Sequence, residues 1–73
     1  MLQKSKLKKA INESRKKIVV LEQKRTRSQA ALVYALLNGI APNSADVETF
    51  NHYTELIEKE RAQMNSLMAE LEN

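Results

Sequence analysis

The chain has 73 residues, 42% of them hydrophobic and 29% charged, with one Gly, one Pro, one Phe, two Tyr, no Trp and no Cys. Such a length allows one small domain with a thin core, the lack of cysteine excludes disulfides and thiolate metal knots, and the scarcity of turn and aromatic residues favours helix over a many-stranded β fold. The net charge of +3 hides a lopsided distribution: residues 1–27 carry ten Lys and Arg against Glu13 and Glu22, whereas residues 46–72 carry seven acids against Lys59 and Arg61.

A first helix is predicted over about residues 4–38. At its start Lys4, Lys6, Lys8 and Lys9 surround Leu2, Leu7 and Ile11, a pattern that suits an acidic protein surface, anionic lipid, phosphate or a solvated terminus. No apolar run approaches the ~18–20 residues of a membrane span. The early lysines precede no uninterrupted apolar segment of the kind a secretory signal needs, so a cytoplasmic location is expected. Steps of four and three then connect Leu7, Ile11, Ser14, Ile18, Leu21, Arg25, Ser28, Leu32 and Ala35 in one heptad seam. Ala30, Val33, Tyr34 and Leu37 follow the i, i+3, i+4, i+7 spacing of a second stripe, placed by heptad counting away from that seam. Val19 and Val20 also lie off the seam, with polar Gln23 and Arg27 between them and the stripe. Together these six apolar residues are the candidate partner-binding surface; the plainer alternative is a scatter of exposed apolar side chains.

Punctuation is confined to Asn38-Gly39-Ile40-Ala41-Pro42-Asn43-Ser44. Gly39 can take the left-handed conformation that ends a helix, and Pro42 blocks its continuation. Asn43 or Ser44 can cap a second helix, predicted over about 44–72, with Asp46 and Glu48 at the positive end of its dipole. A connection over 39–43 makes the helices fold back as an antiparallel two-helix hairpin, an all-α single domain spanning residues 1–73.

In the second arm Phe50, Tyr53, Ile57, Glu60, Met64, Leu67 and Leu71 form the matching seam. Facing residues with numbers summing to 85 set Ala35 against Phe50, Ser28 against Ile57 and Ser14 against Leu71, small against large. The same register sets Arg25 against Glu60, the charged residues of the two seams, as a pair that would penalise slippage. It leaves residues 1–12 as a basic overhang with nothing opposite. So few seam residues make a marginal monomer, for which association with itself or another protein is the usual remedy.

Catalytic, cofactor and metal chemistry find no foothold. His52 is the only histidine, and heptad counting places it on the surface near the turn. One glycine cannot build a phosphate loop or dinucleotide fingerprint, and the glutamates of the second arm read as solvated helix faces. No catalytic residue, cofactor or metal ligand is assigned, and an enzyme is not expected. Nucleic-acid binding through the basic first arm is a lesser reading, because no aromatic platform accompanies the charges and the acidic second arm repels phosphate.

The segment Leu36-Leu37-Asn38-Gly39-Ile40-Ala41-Pro42, followed by a second helix bearing Phe50 and Tyr53, resembles the YscE family of type III secretion, tiny helical hairpins of similar length. The resemblance covers most of the chain in architecture and residues 36–53 in sequence. It implies a cytoplasmic co-chaperone that joins a tetratricopeptide-repeat chaperone and keeps the needle subunit unpolymerised before export. The stretch from Tyr34 to Leu71 is also similar to the longer coiled-coil stalk proteins of the FliJ and YscO type, which implies engagement of an export ATPase. A non-enzymatic, protein-binding hairpin is common to both.

Overall fold

Two caps define the architecture of the computed structural model, which describes residues 3–73. Helix α1, Lys4–Leu37, stops at Asn38; Gly39 follows with φ of +63°. The Gly39 N–H donates to the Leu36 carbonyl at 3.3 Å and the Ile40 N–H to the Ala35 carbonyl at 3.0 Å, the paired bonds of a Schellman cap that satisfy carbonyls the helix leaves open. Asn38 Nδ2 also donates to the Tyr34 carbonyl at 2.8 Å. Helix α2, Ser44–Glu72, begins with Asn43 Oδ1 accepting from the Ala45 N–H at 2.8 Å, and Asp46 lies in its first turn. The start of α1 has neither aid: Gln3 makes no side-chain cap and no acid occupies the first turn. Lys4 and Lys6 there face the positive end of their own dipole.

A helix of 34 residues at about 1.5 Å per residue is about 51 Å long, and the molecule measures 52 × 17 × 15 Å. The two helices therefore lie side by side along nearly their whole length, as the predicted hairpin requires. The buried residues are Leu7, Ile11, Ile18 and Ala35 of α1, Ile57 of α2, and two serines, Ser14 and Ser28. Small side chains at the serine positions let the helices approach closely, and Ser28 Oγ donates to the Arg25 carbonyl at 2.9 Å, so its hydroxyl is not stranded. The remaining seam residues of α2, including Phe50, Tyr53, Met64, Leu67 and Leu71, are only half-buried. The accessible surface is 5801 Å², against about 4,600 Å² for a compact globule of this size. One interface between two rods cannot hide more.

The register differs from the expected sum of 85 by about one helical turn. Arg25 does not reach Glu60: its Nη1 donates to Thr54 Oγ1 at 3.0 Å and its guanidinium carbon lies 5.2 Å from the Phe50 ring centroid. Among the described residues the ion pair between the helices is instead Glu22 with Arg61, at 3.6 Å, a half-exposed contact worth about 0–1 kcal/mol. Arg25 Nε and Glu60 Oε1 are both buried without a protein partner. The physical reason lies in the connection, Asn38 to Asn43, whose centre falls between Ile40 and Ala41 and so pairs residues whose numbers sum near 81. Heptad seams repeat every three to four residues, so a slip of one turn looks equally apolar, and the caps decide between the two registers.

This shift draws the end of α2 further along α1. Ile11 shares a surface hollow with Met68 and Leu71, and Leu7, predicted to overhang, is 3% exposed. The unpaired segment is therefore shorter than residues 1–12, and Leu2 lies outside the described residues. Lys4, Lys6, Lys8 and Lys9 are all exposed. A helix lying on lipid needs Leu7 and Ile11 on its outer side; with both in the seam, the lysines have no apolar face beside them.

Candidate functional site

The site is built by the outer side of α1, the side turned away from α2. The alanines and leucines that end α1 keep it helical to its Schellman cap, which holds Tyr34 and Leu37 on the last two turns. On this surface Thr26, Gln29, Ala30, Val33, Tyr34 and Leu37 line one open hollow. All six come from α1, so its walls are successive turns of a single helix. Val33 is 47% exposed, Tyr34 64% and Leu37 80%. Leu36 and Ile40 add exposed apolar surface at the turn end of the hairpin.

The structure thus brings the predicted stripe Ala30, Val33, Tyr34 and Leu37 together in one place. Val19 and Val20 do not join the hollow, but both are exposed on α1 roughly two turns nearer its start. Thr26 and Gln29 are part of the site and were missed by a search for apolar spacing. For Thr26 the signal was available: Val19, Gln23, Thr26, Ala30, Val33 and Leu37 continue in steps of four and three, whatever their polarity, whereas Gln29 lies outside that row.

Charge is mixed along the hairpin. Lys16, Lys17, Lys24 and Arg27 are exposed along α1, with Lys24 and Arg27 in a hollow between the helices that also takes in Asp46, Thr49 and Tyr53 of α2, while Glu13 is exposed and Glu22 is held by Arg61 of α2. The outer side of α2 presents Glu48, His52, Glu55, Lys59 and Ala62, all exposed, with no large apolar side chain among them. His52 sits edge-on to Tyr53, with ring centroids 5.3 Å apart and planes at 62°. Its place is on the surface near the turn, clear of the α1 hollow. Among the described residues no cluster of three or more His, Asp and Glu side chains is placed to hold a metal ion, and no helix is long and apolar enough to cross a membrane. Arg25 and Glu60 lie on the inner side of the hairpin and belong to its packing.

No known protein family matches the chain, and neither does any curated protein or solved structure. What the surface can do follows from its chemistry alone: it offers apolar area, arranged along about 27 Å of helix between Val19 and Leu37.

Proposed function

We propose that the chain is a non-enzymatic binding module, a cytoplasmic co-chaperone of type III secretion that pairs with a tetratricopeptide-repeat chaperone and keeps a needle subunit soluble. The observation that carries the binding role is the exposed hollow of Ala30, Val33, Tyr34 and Leu37, on a molecule with five buried apolar residues among those described. Apolar surface concentrated on one helix, away from a thin core, is the arrangement of a partner-dependent scaffold. The secretion role comes from the resemblance of residues 36–53 to the YscE family, and the short capped hairpin is compatible with it.

Co-expression with a tetratricopeptide-repeat chaperone and a needle subunit of type III secretion tests the role. The expected result is an equimolar ternary complex in which the needle subunit stays soluble, dissolved by Val33→Glu. A needle subunit that stays soluble without the hairpin, or a hairpin that co-purifies with a ring ATPase in place of the repeat protein, overturns the role; the second result favours the stalk reading.

A further inference from the structure

We infer that the end of the hairpin opposite the turn docks an acidic segment of a partner protein, whose large apolar side chain enters a hollow between the helices while its carboxylates meet Lys8 and Arg15. This surface is separate from the Val33 and Leu37 hollow, and the inference does not rest on the co-chaperone role. Lys8, Ile11, Asn12 and Arg15 of α1 and Met68 and Leu71 of α2 line it. Its floor is apolar. Ile11 there is 7% exposed, whereas Met68 is 41% exposed, a flexible thioether side chain left where it can adapt to what enters. Lys8 and Arg15 are seven residues apart, so they stand about 10 Å from each other along α1, with Ile11 and Asn12 between them.

Cations outnumber acids around the hollow. Lys8 and Arg15 are exposed, and among the described residues no acid lies within ion-pair distance of either. Lys9 and Lys16, which follow them in the chain, are exposed as well. At about 100° per residue, Glu13 lies on the opposite side of α1 from Lys8 and Arg15, and Glu70 on the opposite side of α2 from Met68. Glu72, one turn on from Met68, is the acid that adjoins the hollow, and Glu22, further along α1, is engaged by Arg61.

Shape and charge together select the occupant. A lipid surface is flat and does not reach a floor as buried as Ile11. Nucleic acid supplies phosphates, but a floor of Ile11, Met68 and Leu71 gives its bases no aromatic ring to stack on. A second copy offers Glu48 and Glu55, exposed and seven residues apart on α2, with Asn51 and His52 between them where an apolar anchor is needed. A partner helix with two acids one heptad apart and a leucine between them matches both the cation spacing and the floor.

The test titrates the full chain, labelled at its methionine methyl groups, with three helical peptides of about 20 residues. One carries two glutamates a heptad apart around a leucine, the second has glutamines for the glutamates, and the third has alanine for the leucine. At about 0.05 M salt the first is expected to shift the Met68 methyl resonance and to bind about 10-fold more tightly than either of the others, its lead over the glutamine peptide narrowing at about 0.5 M. Lys8→Glu with Arg15→Glu, both at exposed positions, removes that lead; Val33→Glu, on the outer side of α1, leaves it intact. Equal binding of the glutamate and glutamine peptides overturns the inference on the unaltered chain, as does an alanine peptide that binds as well as the leucine one. Binding that survives the double charge reversal overturns it too, and so do phosphatidylglycerol vesicles or single-stranded DNA that shift the Met68 methyl at lower concentration than the glutamate peptide.

Discussion

The two helices have similar lengths and share one interface, yet they use their outer sides in opposite ways. Among the described residues α1 supplies six of the seven that are buried and still exposes Val19, Val20, Val33, Tyr34 and Leu37 on its far side; α2 buries Ile57 alone and turns Glu48, Glu55, Lys59 and Ala62 outward. A helix needs one apolar stripe to join a hairpin. The second stripe of α1 adds nothing to the fold of the monomer and leaves apolar area in water, so the difference between the helices separates what holds the molecule together from what it presents to others. Their ends differ as well. The turn end is closed by a Schellman cap and Asn43, whereas α1 starts without a cap and with lysines against its own dipole. The far end of α2 is also charged against its own dipole, with Glu70 and Glu72 at its negative pole.

The sharpest way to break this comparison is at the shared interface. Ile57→Ala removes the one buried residue of α2, and a loss of about 2–4 kcal/mol is expected, read by urea titration or, where the variant no longer folds, as lost helical circular dichroism. A loss near zero means the interface is not the core. Gly39→Ala comes next: the left-handed φ of +63° strains an Ala even though nothing lies within 4 Å of the added Cβ, so the cost is conformational, about 1–2 kcal/mol. Gly39→Asn should cost less, and equal melting of all three chains would show that the cap does not set the turn. Glu60→Leu sharpens the inner side of α2 in the opposite direction. It removes a buried carboxylate oxygen that has no partner and extends the apolar seam, for a gain of about 1 kcal/mol in thermal or chemical melts; destabilisation instead would mean that Glu60 holds Arg25 in solution. The smallest effect concerns the uncapped end, where Gln3→Asp is expected to give α1 about 0.5–1 kcal/mol at low salt and less at high salt. No change at either salt would show that this end is frayed.

Much of the molecule was legible in the chain, and the exceptions have physical causes. Gly39, Pro42 and Asn43 act within a few residues of themselves, so both helix ends could be read locally. The heptad steps of each arm identified the seam for the same reason. Register is a long-range property: Arg25 and Glu60 satisfy the pattern when paired, but the pattern is nearly unchanged by a slip of one turn, and the long Arg25 side chain finds Thr54 and Phe50 from where the turn leaves it. Burial of Leu7 and Ile11 followed from that slip and was hidden with it. The outer stripe of α1 was visible from residue 30 onward because its members are apolar; Thr26 escaped because polarity was used as the filter where spacing carried the signal, and Gln29 because it is polar and sits off the row.

The claim that α1 has one filled and one open seam is tested most directly by the relaxation that a soluble paramagnetic agent induces at the valine and isoleucine methyl groups. The account predicts that Ile18 and Ile57 methyls relax slowly and those of Val19, Val20 and Val33 rapidly, at every protein concentration. Val33 methyls as well shielded as those of Ile57 in the dilute chain would contradict it.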